Sequence, residues 1–136
     1  MANTIQLEVV TPDRQVFNLP VDFFSLRGMA GELGVLPGHI PLFTGVEPCL
    51  LHYKIEGKDG VITVMGGFLD VQPTKATVLA DAAERGEEID EIRARQAKER
   101  AEIRVSKENE VGAEVYLQRA LLRLRAVELV GGRKGH

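Results

Sequence analysis

The sequence lacks tryptophan, contains a single cysteine, and has only 5% aromatic residues among its 136 positions. A hydrophobic core must therefore be mainly aliphatic. One thiol, Cys49, excludes an internal disulfide and a cysteine-based metal cluster. Cys49 lies in an apolar run, which favours a small buried side chain over the alternative of a reactive thiol. The net charge of -3 is small, and no basic face interleaved with aromatic residues is visible, so nucleic acid is not an expected partner.

Long hydrophobic runs are also missing. None approaches the roughly 20 residues of a membrane-spanning helix, so no direct membrane insertion is expected. The first four residues lack the charged and apolar regions of a signal peptide. We expect a protein that stays in the cytoplasm and that could still dock on a membrane-bound assembly.

Residues 1–85 are rich in valine, isoleucine, phenylalanine, glycine and proline. Ile5–Val10 alternates apolar and polar residues, which is the period of a half-buried strand. Turn residues recur about every ten positions, which favours a sandwich or barrel. We predict a flattened β-sandwich of eight to ten short strands. Further strands are predicted at 15–17, 21–26, 49–55, 61–65, 68–72 and 76–80, with a five-residue hairpin loop at 56–60.

Glycine and proline mark two special places in this region. Residues 28–42 predict a shaped loop with apolar tips, in which Gly31, Gly34 and Gly38 can adopt positive φ. Gly66-Gly67 interrupts a strand pattern, which indicates either a bulge or a close crossing of two backbones.

Residues 86–136 are mostly helix formers. A helical turn is predicted at 82–85. A first helix is then predicted from 87 to about 107 and a second from 111 to 130, with a turn at 107–110 and an end at Gly131-Gly132. The first helix carries a stripe of small residues, Ala94, Ala97, Ala101 and Val105. The apolar positions of the second are Ala113, Tyr116, Leu117, Ala120, Leu124 and Val127. The pattern predicts an antiparallel two-helix hairpin.

This hairpin has a thin apolar seam. At about 25 cal/mol per Å² of apolar area, alanine packed on leucine gains little over the entropy lost on ordering. We therefore expect the hairpin to open more easily than the β-sandwich melts, which is what a switch requires.

Three motifs resemble signatures of the epsilon subunit of bacterial F-type ATP synthase, in the same order along nearly the whole chain. They are Gly31-Glu32-Leu33-Gly34-Val35-Leu36-Pro37-Gly38-His39-Ile40-Pro41-Leu42, Gly66-Gly67-Phe68-Leu69-Asp70-Val71-Gln72-Pro73 and Val78-Leu79-Ala80-Asp81-Ala82-Ala83-Glu84-Arg85. The resemblance implies a β-sandwich docking domain over residues 1–85 and a two-helix regulatory domain over residues 86–136.

The resemblance also implies a role: a non-catalytic rotor subunit, peripheral on the cytoplasmic face of the cell membrane. The sandwich would contact the γ subunit and the c-subunit ring, coupling the proton-driven ring to the catalytic head. The helices would form a compact hairpin or extend towards the α and β subunits, and the extended form would inhibit ATP hydrolysis. As continuous helix, residues 88–130 would span roughly 65 Å. The implied contact residues are Met29, Glu32, Leu33, Leu36 and His39.

Residues 89–94 are similar to the pattern Ile/Leu-Asp-x-x-Arg-Ala, by which some epsilon subunits bind ATP between the β domain and the hairpin. ATP is thus implied as a regulatory ligand that favours the compact hairpin, and no cofactor is required. Carried over by position, Glu84, Asp90 and Arg93 would hold the nucleoside, and Arg100, Arg119 and Arg123 would face the phosphates. The matched motif also contains Ile89 and Ala94.

Helical spacing permits this arrangement, because Arg93 and Arg100 share a helix face and Arg119 and Arg123 are i,i+4 neighbours. The alternative is an ordinary solvated surface in which the arginines form ion pairs with Glu99, Glu102 and Glu114. Two other functions remain open. One is a free-standing ATP-sensing module, and the other is an enzyme acting through the Gly38-His39 loop, for which no partner residues are visible.

Overall fold

The computed structural model describes residues 3–103 and 113–134. It forms two compact units, which we call the β unit, ending at Arg85, and the helical unit, beginning at Gly86. The strands are β1 (Ile5–Val10), β2 (Gln15–Val21), β3 (Phe23–Gly28), β4 (Gly31–Val35), β5 (Leu42–Ile55), β6 (Lys58–Val71), β7 (Lys75–Ala80) and β8 (Ala83–Arg85). After a 3-10 turn at Gly86–Glu88, the helices are α1 (Glu91–Ile103) and α2 (Ala113–Lys134). The predicted fold class, a β-sandwich followed by a two-helix hairpin, is confirmed.

The strands form one sheet in the order β2-β1-β7-β6-β5-β3-β4, and β8 pairs with β6. Only the pairing of β1 with β7 is parallel among the described strands. At the centre, β5 and β6 have 14 residues each, so the prediction that all strands are short is wrong. Their connection is a two-residue turn, Glu56-Gly57, with φ of 49° and 81°. The predicted five-residue loop is wrong because Glu56 adopts a left-handed conformation that is unusual for glutamate.

A kink crosses the middle of β6 at Gly66 and Gly67, whose φ values are 91° and 141°. The register with β5 is the same on both sides, with Val46 opposite Gly67 and Pro48 opposite Met65. The glycine pair is therefore not a bulge. A Cβ at Gly67 would collide with the carbonyl oxygen of Leu79, so the alternative prediction, a close approach of two backbones, describes this position.

Neighbouring strands change their core-facing side at the same level. In β6 the core residues are even-numbered before the glycines (Ile62, Val64) and odd-numbered after them (Leu69, Val71). Strand β5 changes similarly between Val46 and Cys49. Because β5 and β6 change their core-facing side at the same level, residues from both halves of the two strands belong to one core.

That core is almost entirely aliphatic, as the composition predicts. Its largest fully buried side chains are Phe17, Phe24, Ile5, Leu7, Leu26, Leu51, Ile62, Leu69, Val9, Val21, Val35 and Val64. Among the described residues, Thr63 is the one buried polar side chain. Its hydroxyl donates a hydrogen bond to the carbonyl oxygen of Glu84 over 3.3 Å, which ties β8 to β6.

The glycine-rich stretch 28–42 is partly a strand. Residues 31–35 form β4, which pairs with β3, so the prediction of a loop throughout is wrong. Gly31 and Gly38 have positive φ, at 118° and 83°, whereas Gly34 pairs with Ser25 inside the strand. The remaining loop is fixed by the Gly38 amide, which donates to the carbonyl oxygen of Pro73 over 2.8 Å.

The helix boundaries differ from the prediction in three places. Residues 83–85 form β8 and not a helical turn, because they continue the antiparallel pairing of β7 along β6. Helix α1 begins at Glu91 instead of residue 87. Helix α2 continues through Gly131-Gly132 to Lys134, since glycine costs a helix only about 1 kcal/mol per residue. Val105 and the predicted turn at 107–110 lie outside the described residues.

Helices α1 and α2 pack against one another. Ala94 and Ala101 are buried as predicted, and so are Ala120 and Leu124 of α2. Tyr116 was placed on the apolar stripe, but its side chain is 56% exposed. Ala126 and Val130 are buried outside the predicted stripe. Within the described part of the chain, neither helix has the length and apolar character needed to cross a lipid bilayer.

Candidate anion site and docking surfaces

A groove of about 350 Å³ lies between α1 and α2. This volume is within the usual range of small-molecule sites. Its lining residues, which define what we call the basic groove, are Ala97, Arg100, Ala101, Tyr116, Arg119 and Arg123.

Helical periodicity builds the basic groove from two short sequences. Tyr116, Arg119 and Arg123 follow 3-4 spacing, so they share one face of α2. On α1, Ala97 and Ala101 are one turn apart and present only methyl groups. The small side chains leave open volume beneath the longer side chains that border it.

The electrostatics of the basic groove favour an anion. Three guanidinium groups line it, and none of the described lining residues is acidic. Arginine stays charged at all accessible pH values, and its planar donors match phosphate oxygens. On α1, Arg95 Nε lies 3.5 Å from Glu91 Oε2. The predicted alternative, in which the arginines form ion pairs with Glu99, Glu102 and Glu114, stays a prediction.

The structure brings together three of the eight residues predicted to bind ATP: Arg100, Arg119 and Arg123. Arg93 is exposed and does not line the basic groove. Ile89 precedes α1, and Ala94 is buried in its first turn. Glu84 belongs to the β unit, within β8.

Asp90 has a structural task that the motif does not reveal. Its carboxylate Oδ1 accepts a hydrogen bond from the backbone N–H of Arg93 over 3.1 Å. Its carbonyl oxygen accepts one from Ala94 over 3.0 Å. These contacts make Asp90 the N-cap of α1, which explains why α1 begins at Glu91.

The predicted contact residues of the β unit differ in accessibility. Met29 is 70% exposed and Leu36 is 63% exposed, and Glu32 is also exposed. Leu33 instead packs against the hydrophobic core. His39 is half-buried, and its Nδ1 lies 2.6 Å from the carbonyl oxygen of Ile40.

The β unit also carries an exposed apolar patch that was not predicted from the sequence. Phe43 and Phe68 stack with ring centroids 5.6 Å apart. Phe68 is the strand partner of both Gly45 and Leu79, and the Met29 side chain lies where a Cβ of Gly45 would point. Paired residues share a face of the sheet, so Met29, Phe43, Phe68 and Leu79 form one surface, which we call the apolar patch. The period of the strands could have revealed this patch. Successive side chains of a strand point to opposite faces, so Phe68 and Leu79, next to buried Leu69 and Val78, lie on the outer face.

Cys49 is buried in the β unit. Burial raises the pKa of its thiol, and the nearby carboxylates of Glu32 and Glu47 act in the same direction. Both effects favour the neutral thiol, as expected of a packed side chain and not of a nucleophile. Across residues 3–103 and 113–134, no histidine, cysteine and carboxylate side chains form a group able to hold a metal ion.

Comparison with known proteins places these features in a family. Residues 4–86 match the family model described as ATP synthase, Delta/Epsilon chain, beta-sandwich domain. The chain is 52% identical over 107 residues to the ATP synthase epsilon chain of Carboxydothermus hydrogenoformans, covering 79% of this chain and 80% of that one. It is 46% identical over 129 residues to the epsilon chain of Nitratidesulfovibrio vulgaris, covering 92% and 96%.

Two solved structures with a similar fold are also of ATP synthases. A chain in the cryo-EM structure of the Euglena gracilis mitochondrial ATP synthase, containing OSCP, F1 and the c-ring, aligns with a TM-score of 0.72 and 26% identity. The alignment covers 96% of this chain and 82% of that one. A chain from the central stalk and c-ring of the Tetrahymena thermophila mitochondrial enzyme shares the fold, with a TM-score of 0.52, 12% identity, and coverage of 62% and 69%. The chain belongs to the ATP synthase epsilon chain family.

Proposed function

We propose that the chain is a non-catalytic subunit of the central-stalk rotor, peripheral on the cytoplasmic face of the membrane. In this proposal the β unit contacts the γ subunit and the c ring and couples the ring to the catalytic head. The helical unit inhibits ATP hydrolysis when it extends towards the α and β subunits. ATP in the basic groove stabilises the compact hairpin. The observation that carries the regulatory part is the convergence of Arg100, Arg119 and Arg123.

Two observations support docking by the β unit. The aligned structures are of assemblies that contain a c-ring. The apolar patch contains two stacked phenylalanines and a methionine, residue types that anchor protein interfaces. The loop that carries His39 also exposes two apolar side chains, Leu36 and Ile40.

The basic groove supports ATP as the regulator. Arg100 lies on α1, whereas Arg119 and Arg123 lie on α2. A triphosphate that contacts all three binds only when the helices are side by side. Such a ligand stabilises the compact hairpin by mass action, since the separated helices lack the assembled site.

Isothermal titration of the isolated chain with ATP tests the regulatory part. We expect binding, and we expect Arg119→Ala to weaken it by more than about tenfold, because a charge-assisted hydrogen bond is lost. The matched control is Arg125→Ala, which removes the same charge from an exposed position of α2 outside the groove. No heat from the wild-type chain at millimolar ATP would contradict the proposal.

Co-purification with γ tests the docking part. We expect Phe68→Asp to abolish γ binding because it places a charge at the centre of the apolar patch. Leu19→Asp is the control, since Leu19 is 41% exposed on β2, outside the patch. Equal γ binding by both variants would remove the patch from the interface.

Cysteine crosslinking tests the c-ring contact separately. Glu32→Cys should crosslink to cysteines placed in the polar loops of the c subunit. Failure across several pairs would argue against this docking face.

Hydrolysis by the assembled enzyme tests inhibition. Truncation after Arg85 keeps β8 paired with β6 and should raise ATP hydrolysis. An unchanged rate would mean that the helices do not inhibit.

A second candidate is a free-standing ATP sensor, which the same groove favours. The two proposals differ in co-purification, because only the rotor subunit requires γ to accompany the chain.

A further inference from the structure

Tyr116 borders the basic groove, although the motif that resembles an ATP site does not include it. From this placement we infer that the Tyr116 hydroxyl donates a hydrogen bond to the phosphate chain of the bound anion. The inference rests on the proposed function of the groove and adds a residue to it.

The position of Tyr116 fits this role. It lies one turn before Arg119 and two turns before Arg123, on the wall of α2 that lines the groove. Its side chain is 56% exposed, so a ligand entering from solvent can reach it. Facing it on α1, Ala97 and Ala101 carry only methyl groups and do not fill the space.

The chemistry of the lining defines the ligand class. Guanidinium groups only donate hydrogen bonds, and a phenol hydroxyl donates readily to an anionic oxygen. Methyl groups offer neither donor nor acceptor. The groove is therefore suited to an oligophosphate, whose terminal oxygens accept, and it provides little to distinguish one nucleobase from another. Inorganic tripolyphosphate should bind in the same place as the phosphates of ATP.

The test is isothermal titration of the full chain with ATP and, separately, with inorganic tripolyphosphate. We expect Tyr116→Phe to weaken the binding of both ligands by about ten- to a hundredfold, the size of one hydrogen bond to a charged acceptor. Phenylalanine keeps the ring and has a similar helix propensity, and circular dichroism should show unchanged helicity. The control is Leu121→Ala, an exposed position of α2 outside the groove, which should change affinity less than twofold.

The outcomes separate this inference from the proposed function. If Tyr116→Phe binds both ligands as tightly as the wild-type chain does, the role of the hydroxyl is overturned. The groove then stays the proposed ATP site. Loss restricted to ATP, with tripolyphosphate unaffected, overturns the assignment to the phosphate chain. If the wild-type chain binds neither ligand, the proposed ATP regulation fails and this inference fails with it.

Discussion

The two units bury very different side chains. The β unit is filled by phenylalanine, leucine, isoleucine and valine, many of them fully buried. Among the side chains of α1 and α2 that the structure describes, the buried ones are Ala94, Ala101, Ala120, Leu124, Ala126 and Val130. Burying a leucine or phenylalanine contributes about 1.5–3 kcal/mol, whereas a methyl group contributes roughly a third of that.

This difference has two consequences for the helical unit. Its small apolar contact should let the helices separate while the sheet stays folded. Ala101 also lines the basic groove together with Ala97, and these short side chains leave open volume that the arginines border. If the groove binds an anion as proposed, weak packing and the anion site have one structural cause, and we expect occupancy of the site to decide how often the helices separate.

The largest expected effect is in the β unit, at the kink. Gly67→Ala places a Cβ against the carbonyl oxygen of Leu79 at a φ of 141°, so the backbones must separate. We expect the free energy of unfolding to fall by more than about 3 kcal/mol, measured by urea denaturation.

The control for this variant is Gly57→Ala, which also has a positive φ but has open space around its Cβ. This variant should lower the free energy of unfolding by only about 1–2 kcal/mol. Equal costs for the two variants would show that the close approach of β6 and β7 is not important for stability.

Two leucine truncations compare the cores directly. Leu69→Ala removes a fully buried side chain of the β unit and should lower the global free energy of unfolding by about 2–5 kcal/mol. Leu124→Ala should have a smaller effect and accelerate hydrogen exchange only in α1 and α2. If Leu124→Ala destabilised the sheet amides equally, the two units would not unfold separately.

A smaller effect is expected at the N-cap of α1. Asp90→Ala should destabilise α1 by about 1 kcal/mol. Asp90→Asn should leave the stability of α1 unchanged, because asparagine caps a helix as well as aspartate does. Hydrogen exchange in the first turn of α1 measures this. Should Asp90→Asn keep the helix and lose ATP affinity, the carboxylate would have a second role in ligand binding.

The smallest effect concerns Cys49. Burial raises the pKa of its thiol in the folded chain, so its contribution to stability is present below the thiol's unfolded pKa and is lost as pH rises through the folded pKa. Iodoacetamide should label Cys49 slowly in the native protein and quickly in urea, and Cys49→Ala should reduce the loss of stability at alkaline pH. Rapid native labelling at neutral pH would indicate an accessible thiol.

Much of the fold could be predicted because local pattern and tertiary environment agree. The alternation in Ile5–Val10 matches its burial in β1, and the small residues Ala94 and Ala101 are buried in α1. The prediction of secondary structure failed where pairing with a neighbouring strand overrides the local preference of the residues. Strand β4 forms within a glycine- and proline-rich stretch because β3 lies beside it.

The resemblance named Arg100, Arg119 and Arg123, and helical spacing allowed them to share one groove, which is where the structure places them. That they bind ATP stays a prediction. Tyr116 was assigned to the apolar face because it keeps helical spacing with the apolar positions of the second helix, and only the packing of α1 on α2 places it at the groove. The capping by Asp90 was hidden because its motif also matched a ligand site.

Native-state hydrogen exchange with and without ATP tests the central claim most directly. We predict that amides of α1 and α2 exchange through openings of lower free energy than the amides of β5 and β6, and that ATP slows exchange in the helices while leaving exchange in the sheet unchanged. A single opening free energy for helices and sheet, unaffected by ATP, would contradict it.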